Sequence, residues 1–258
     1  MSGRGRGAPR AALVALAAAL TFCAACADPP PALPTAPPIS AAGSPLVYVA
    51  LGASETAGVG LNDQALQVRY AWPQLFFNEA LPRAAQYYNF AVPATTTADA
   101  LRDQVPRALS VHPDVATVFF HVDDLVRGVD PVSFGINLDS IVRQLRQGGR
   151  TRVLVANAPR IDTLPALLAC EGAPSATAKC PLPAGTTIPP LSAIDTAVNA
   201  YNAAIAAVVS REGARLVDLN AHSDLLTSHP EYLSVDGFHP SALGDQLIAQ
   251  LFADAYRM

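Results

Sequence analysis

The stretch LVYVALGASETAGVG, residues 46–60, decides the fold. Its first six residues are all apolar, which is typical of a short strand buried on both faces of a parallel sheet. A glycine-rich turn that contains Ser54 follows at once, and small residues let the backbone turn tightly and let another molecule approach. The stretch therefore predicts a strand that presents a serine at its carboxyl end, although a serine that merely caps a short helix would give the same pattern.

The same alternation continues along the chain. Four more apolar runs follow, YYNFAV near 87–92, VATVFF at 115–120, RVLVAN at 152–157 and the weaker ARLVDL at 214–219. Segments with helical period separate them, and Gly148 is expected to stop one helix while Pro106 is expected to end or kink another. This alternation predicts an α/β fold, a three-layer α/β/α sandwich around a mainly parallel sheet of about five strands. The Pro-rich stretch 161–192 is expected to be an elaborated loop.

The amino terminus has the pattern of an export signal. A basic stretch, MSGRGRGAPR, precedes an apolar run of about a dozen residues, which is shorter than the roughly 20 residues that a membrane-spanning helix needs. We expect residues 1–26 to be a signal peptide of the lipoprotein type, 27–45 a Pro-rich linker, and 46–258 one domain. The protein would then lie outside the cytoplasm, in a bacterial cell envelope or secreted. Lipidation of Cys26, with membrane attachment, and ordinary cleavage after Ala27 both fit, and the Pro-rich spacer favours the first.

Charge and cysteine content narrow the possible partners. Removing residues 1–26 takes three arginines from 17 basic residues and none of the 21 acidic ones, which leaves a formal charge of −7. A nucleic-acid surface would be basic, so no nucleic-acid partner is expected. Cys170 and Cys180 lie close together in an exported domain, which predicts a disulfide. Their spacing does not match a zinc site.

In parallel α/β sheets, sites form where the carboxyl ends of the strands meet. NFAVPATTT follows the second predicted strand, and FFHVDDLVRG spans the end of the third. The chain closes with DGFHPSALGDQLIA, residues 236–249, in which Asp236 and His239 precede the last helix. The strand ends therefore offer a serine, a histidine and several carboxylates to one cleft.

The order of these features resembles the GDSL or SGNH hydrolases over most of residues 46–257. LGASETAGVG matches the first block of the family in its glycines and serine, but Ala53 replaces the usual aspartate and Glu55 the usual leucine. The last block, DGFHPSALGDQLIA, matches closely. The resemblance implies a serine hydrolase that cleaves carboxylic esters through an acyl-enzyme. It implies a small-molecule ester substrate (short acyl, lipid or sugar-acetyl), no cofactor and no metal, and a monomer is expected.

Carried onto this chain, the resemblance implies a catalytic triad. Ser54 would be the nucleophile, His239 the general base, and Asp236 the group that orients the imidazole. A serine hydroxyl becomes a good nucleophile only when a neighbouring base takes its proton. An imidazole titrates in the range that this task requires, and a carboxylate fixes its tautomer.

The oxyanion hole departs from the family pattern. The resemblance implies the backbone amides of Ser54 and Ala94 as donors, with Ala94 in place of a glycine and Asp123 in place of an asparagine. An ionised carboxylate donates no hydrogen bond, so it would repel a developing oxyanion. Three solutions stay open: a protonated Asp123, a donor from His121, which replaces another glycine, or a hole made of backbone amides alone.

Other interpretations compete with the hydrolase. His121, Asp123 and Asp124 together could bind a divalent ion, although no further ligand is identifiable in the sequence. A catalytically impaired surface lipoprotein that binds glycan or acyl ligands in the old cleft is the main alternative function. A solute-binding protein is disfavoured, because the chain lacks a second lobe.

Overall fold

The computed structural model describes residues 45–61, 69–172, 178–180 and 188–258. The predicted signal peptide, 1–26, lies outside these residues, as does the predicted linker, 27–45, apart from its last residue. Both therefore stay predictions. In the part of the chain that the structure describes, no helix combines the length and the apolar character needed to cross a bilayer.

Five parallel strands form one sheet in the order β2-β1-β3-β4-β5. They are β1 (Val47–Gly52), β2 (Gln86–Asn89), β3 (Val115–Phe119), β4 (Arg152–Ala156) and β5 (Arg215–Val217). Each strand falls on one of the five apolar runs, which confirms the predicted sheet, although β2 ends before its predicted limit. The chain leaves β1 in one direction and returns past it to β3, so a crevice opens between the carboxyl ends of these two strands. Ser54 follows one of them and His121 the other.

Helices cover both faces of the sheet. They are α1 (Ser54–Ala57), α2 (Trp72–Ala80), α3 (Thr97–Ser110), α4 (Val122–Val126), α5 (Pro131–Arg146), α6 (Pro165–Cys170), α7 (Leu191–Glu212), α8 (Asp224–Ser228) and α9 (Ala242–Arg257). Helix α5 ends at the predicted place, where Gly148 adopts a left-handed conformation with φ of 68°.

The sheet separates two apolar cores, as a three-layer sandwich requires. Val47, Val49 and Leu51 of β1 pack into the core formed with α3, α5 and α7. Tyr48 and Ala50, which alternate with them, pack into the core formed with α2 and α9. In that second core the rings of the α2 tryptophan and an α9 phenylalanine stack with centroids 4.1 Å apart. The continuous apolar run of β1 thus serves both cores.

Pro106 does not end the helix, since α3 continues past it to Ser110. A proline inside a helix removes one backbone donor and crowds the preceding turn. The helix is stabilised elsewhere. Thr96 and Asp99 form a capping box at its start, and Val105 is buried against the sheet. Tertiary packing therefore outweighs the local effect of the proline.

The stretch 161–192 is more ordered than a loop prediction implies. It contains a single 3₁₀ turn, Ile161–Thr163, and helix α6, although residues 173–177 and 181–187 lie outside the described part. A disulfide joins Cys170 to Cys180, which confirms the predicted pair. The bond ties Cys180 to the last residue of α6.

Candidate active site

The end of β1 places Ser54 in the crevice. Gly52 precedes it, and a Cβ added there would collide with the hydroxyl of Thr56, so only glycine fits this turn. The backbone of Gly52 is held at both polar atoms by Gln104 of α3: its N–H donates to the side-chain oxygen at 3.1 Å, and its carbonyl accepts from the side-chain nitrogen at 2.9 Å. The backbone before the serine is thereby fixed.

The hydroxyl of Ser54 donates a hydrogen bond to the Oε2 atom of Glu55 at 3.2 Å. Glu55 is 9% exposed, so this carboxylate is largely removed from water. Within the described residues, no hydrogen bond joins Ser54 to His239. Catalytic hydrogen bonds are often long or unformed before substrate binds, so the serine has a resting partner different from its predicted base.

Asp236 and His239 form the pair that the last sequence block predicts. The Nδ1 atom of His239 lies 2.7 Å from Oδ2 of Asp236, and the other carboxylate oxygen accepts the N–H groups of Phe238 and His239 at 2.9 and 3.0 Å. Burial by itself would raise the pKa of Asp236, but these hydrogen bonds outweigh it and lower that pKa below its ordinary value. The carboxylate is therefore ionised at neutral pH and is positioned to orient the imidazole.

Close packing brings the serine turn and the histidine loop together. Gly60, six residues after Ser54, has φ of 106°, and a Cβ added to it would lie 2.7 Å from Cβ of His239 and 2.5 Å from the carbonyl oxygen of Pro240. No other residue type fits there without displacing one of the two segments. The glycine that follows the serine thus permits the close approach of the loop that carries the predicted base.

The end of β3 gives its three polar residues different roles. Asp124 is fully buried and accepts hydrogen bonds from the hydroxyl and the N–H of Thr97 at 2.6 and 2.9 Å, which stabilises the start of α3. His121 is 6% exposed, its ring lies 4.8 Å from that of Phe119, and its Nδ1 atom has no hydrogen-bond partner among the described residues. Asp123 is half-buried at the start of α4.

The protonation of Asp123 follows from its surroundings. Burial raises its pKa to about 6, and the carboxylate of Glu55 contributes in the same direction, while Arg127 and His239 oppose it. The influence of Glu55 and His239 also shows that Asp123 lies near both parts of the site. A carboxyl group with this pKa is protonated in a substantial fraction of molecules near pH 6.

Ala94, the second predicted oxyanion donor, lies in the exposed loop between β2 and α3. Its φ is 62°, in the left-handed region that favours glycine, and its carbonyl accepts a hydrogen bond from Arg127 at 2.6 Å. The backbone therefore keeps at Ala94 a conformation that glycine adopts most easily, which fits the glycine expected there from the family pattern.

The metal interpretation of His121, Asp123 and Asp124 finds no support in this geometry. The carboxylate of Asp124 is bound to Thr97, and the part of the chain that the structure describes contains no cluster of three His, Cys, Asp or Glu side chains able to hold a metal ion. The three side chains do not converge on a common point, because they serve a helix start, an aromatic contact and the cleft.

A family model described as the GDSL-like Lipase/Acylhydrolase family matches residues 50–247. The chain belongs to this family. The matched region begins inside β1 and ends inside α9, so it contains Ser54, Asp236 and His239. The roles that the sequence predicts for these three residues in a GDSL-like hydrolase stay predictions at this point. No curated protein matches the chain in sequence.

Solved structures share the fold at low sequence identity. The lipase/acylhydrolase from Enterococcus faecalis aligns with a TM-score of 0.60 and 21% identity, over 82% of this chain and 96% of that one. An acetyl xylan esterase aligns with a TM-score of 0.59 and 16% identity, over 81% and 99% of the two chains. A psychrotrophic esterase from Pseudoalteromonas sp. aligns with a TM-score of 0.56 and 15% identity, over 82% of this chain and 96% of that one. The predicted GDSL/SGNH fold is confirmed.

Sequence reasoning missed the contact of Glu55 with Ser54 and the clamp that Gln104 makes on Gly52. Glu55 carried a signal, because it departs from the family residue directly beside the predicted nucleophile. Gln104 carried none, since nothing in a helical segment 50 residues away indicates which backbone groups its side chain will bind.

Proposed function

We propose that this GDSL-like hydrolase cleaves carboxylic esters with Ser54 as nucleophile, His239 as general base and Asp236 as the orienting carboxylate. Membership of the family and the esterase and lipase neighbours support an ester hydrolase. The observation that carries the assignment of residues is the 2.7 Å contact of His239 with Asp236, on a loop that packs against the serine turn.

In the first half-reaction, the hydroxyl of Ser54 rotates from Glu55 toward the Nε2 atom of His239. His239 takes the hydroxyl proton as the oxygen attacks the ester carbonyl, and Asp236 stabilises the imidazolium that forms. The tetrahedral intermediate then collapses. The bond to the alcohol oxygen breaks, His239 returns the proton to the leaving alcohol, and the acyl group stays on Ser54.

The second half-reaction repeats these steps with water. His239 takes a proton from the water that attacks the acyl-enzyme, and the carboxylic acid product leaves as Ser54 regains its proton. In both intermediates the backbone N–H groups of Ser54 and Ala94 donate to the oxyanion, and Asp123 donates in its protonated form. One such donor contributes about 2.7–4 kcal/mol to lowering the barrier in other enzymes.

The proposed substrates are small esters, and the proposed location is outside the cytoplasm. One of the structural neighbours is named an acetyl xylan esterase and another a lipase/acylhydrolase, so sugar-acetyl, short acyl and lipid esters stay in the range to test. Export and attachment through a lipidated Cys26 rest on the sequence of residues 1–26. Labelled palmitate should enter the parent protein in a bacterial host and not Cys26→Ala.

The test is ester hydrolysis by the mature domain together with labelling by a fluorophosphonate, a probe suited to a family whose Pseudoalteromonas esterase is described as inhibited by monoethylphosphonate. Ser54→Ala should lower the hydrolysis of p-nitrophenyl esters by at least about 10³-fold and abolish labelling. Ser110→Ala, an exposed serine at the end of α3, is the matched control and should change neither. Equal activity of Ser54→Ala and the parent would remove the triad from consideration.

A second candidate is the catalytically impaired lipoprotein that binds a glycan or acyl ligand. The hydrogen bond from Ser54 to Glu55 favours it, because that bond holds the hydroxyl away from the predicted base. If the parent protein neither turns over any of the esters nor reacts with the fluorophosphonate, this candidate replaces the hydrolase.

A further inference from the structure

A cavity lies beside the predicted triad. The space free of protein atoms there is about 630 Å³, a volume that includes open solvent. Phe238 and Pro240, which flank His239, form part of its wall, and Glu55 adjoins Ser54 on another part. The cavity and the site therefore share a boundary.

Most of the wall is apolar, and aromatic and aliphatic side chains such as Phe119, Leu164 and Ile248 form it. Such a surface gains free energy when it covers an apolar group of a ligand, at about 25 cal/mol for each Å² removed from water. The lining residues include no arginine or lysine within the described part of the chain. The described part of the wall therefore offers an anionic ligand no guanidinium or ammonium group to pair with.

Among the described lining residues, four have polar side chains: Glu55, His121, His222 and Tyr232. His222 is exposed and Tyr232 partly exposed, whereas Glu55 and His121 are buried, at 9% and 6% exposure. Among the described residues, the Nδ1 atom of His121 has no hydrogen-bond partner, and Glu55 accepts a hydrogen bond from the Ser54 hydroxyl, which the proposed reaction requires to leave. In proteins, the large majority of buried polar groups are hydrogen-bonded. A wall with one imidazole nitrogen that lacks a partner among the described residues, and one carboxylate that is to lose its donor, suits a polar group that arrives with a ligand.

The chemistry of the two side chains defines that group. In this structure Glu55 accepts a hydrogen bond from the Ser54 hydroxyl, so a ligand group that takes the place of that hydroxyl must be a donor. Burial lowers the pKa of His121, although Glu55 opposes this, so the imidazole is neutral at neutral pH and offers one accepting nitrogen. The nearby carboxyl group of Asp123 adds negative charge above pH 6 and disfavours anions further.

We propose that the cavity binds an apolar group of the ester substrate that carries a hydrogen-bond donor, either a hydroxyl or a protonated amine, and that Glu55 recognises the donor. This rests on the proposed function for its link to catalysis, but the binding itself does not need Ser54 to react. Glu55 is then a specificity residue in the place where the family pattern has leucine. When the donor engages Glu55, the hydroxyl of Ser54 is released toward His239.

The test uses three probes of equal apolar length that contain no ester bond: hexylammonium, 1-hexanol and hexanoate. Their affinities for the parent protein are measured by calorimetry at pH 7.5. We expect hexylammonium and 1-hexanol to bind at least about tenfold more tightly than hexanoate, since one hydrogen bond to a charged group contributes about 1.5–3 kcal/mol. Equal affinities, a preference for hexanoate, or no binding of any probe would overturn the proposal.

Variants locate the effect. Glu55→Leu should remove the preference, Glu55→Gln should keep 1-hexanol binding and lose the advantage of hexylammonium, and Leu164→Trp should weaken all three probes by filling the cavity. Glu79→Leu, an exposed glutamate at the end of α2 outside the lining, is the matched control and should change none. A melting curve shows whether Glu55→Leu is folded. If it is not, the test relies on Glu55→Gln. If both Glu55 variants still prefer the donor-bearing probes to hexanoate, the preference comes from trapped water or another wall residue. That result would refute the role of Glu55.

Since the probes cannot be hydrolysed, this result is separate from that of the esterase assay. A parent protein that selects hexylammonium but hydrolyses no ester would keep the binding site and reject the proposed function. A parent protein that hydrolyses esters but binds the three probes equally would keep the proposed function and reject the binding site.

Discussion

Asp236 and Asp123 both lie near the imidazole of His239, but their surroundings shift their pKa values in opposite directions. Asp236 is hydrogen-bonded to the imidazole and to two backbone N–H groups, which lowers its pKa despite partial burial. Asp123 lies at the start of α4, where burial and Glu55 raise its pKa to about 6. The surroundings of Asp236 stabilise its ionised form, and those of Asp123 favour its protonated form.

The difference teaches that the environment, and not the residue type, sets the role of each carboxyl group. Pairs of acids whose pKa values are pushed apart commonly divide the tasks of charge stabilisation and hydrogen-bond donation. In the proposed mechanism, Asp236 in its ionised form stabilises an imidazolium. Asp123 in its protonated form would donate a hydrogen bond to the oxyanion, which the asparagine of the family pattern would do at any pH.

The largest expected effect comes from making the same acid-to-amide change on both sides of the comparison. Asp236→Asn should lower kcat for p-nitrophenyl butyrate by about 10³–10⁴-fold, because an amide stabilises the wrong imidazole tautomer and no imidazolium. Asp123→Asn should change kcat by no more than about tenfold at pH 6, since the amide still donates. Asp103→Asn on the exposed face of α3 is the control. A comparable loss in both site variants would contradict the division of roles.

The pH dependence sharpens the comparison further. The ratio of kcat/KM between Asp123→Asn and the parent should be near one at pH 5. It should rise about tenfold for each pH unit above about 6, up to roughly 10²-fold, because the parent progressively loses its protonated donor. Both proteins contain His239, so most of the contribution of this residue to the pH profile cancels in the ratio. A ratio that stays flat from pH 5 to 8 would place the carboxyl group of Asp123 outside the oxyanion hole.

A smaller effect is expected from the support behind the Asp236 loop. Gly237 has φ of 68°, and a Cβ added to it would lie 2.6 Å from Cβ of Ala178, which the disulfide ties to the end of α6. Its carbonyl also accepts the N–H of Ala166 at 3.1 Å. The double variant Cys170→Ser/Cys180→Ser should lose about 2–3 kcal/mol of stability and some kcat, because the loop that orients His239 loses part of its packing.

Urea unfolding and ester hydrolysis measured well below the melting temperature separate these two consequences. Addition of a reductant to the parent should reproduce the variant, while the variant itself should not respond to it. A reduced parent with full stability and unchanged kcat would show that the Asp236 loop is held without the disulfide segment.

The smallest effect is expected at Ala94, on the atypical side. Ala94→Gly places glycine at φ of 62°, which removes strain of about 1 kcal/mol but increases the conformational entropy of the unfolded chain by a similar amount. The free energy of unfolding should therefore change by less than about 1 kcal/mol, with a small rise in kcat if the methyl group crowds the oxyanion. Differential scanning calorimetry and steady-state kinetics measure both, and Ala94→Val, which tolerates this φ poorly, should lose stability.

The sequence by itself determined the layers, the strands and the histidine loop. The five strands are recognisable because a strand buried on both faces must be apolar throughout, as in Val47–Leu51. The pair Asp236 and His239 is recognisable because three residues of separation and a tight turn suffice to join them, so their contact is local. Local rules allowed α3 to end at Pro106, and the helix does not end there, because its packing against the sheet compensates for the missing hydrogen bond.

Only the tertiary structure decided how the acids near the nucleophile differ. The pKa of Asp123 depends on burial and on Glu55, which lies 68 positions earlier in the chain, and Asp124 is occupied by Thr97 from another helix. The apolar cavity behind Glu55 is assembled from strand ends and loops that are distant in sequence. Electrostatic and packing terms of this kind depend on distances through space, and a spacing along the chain does not determine them.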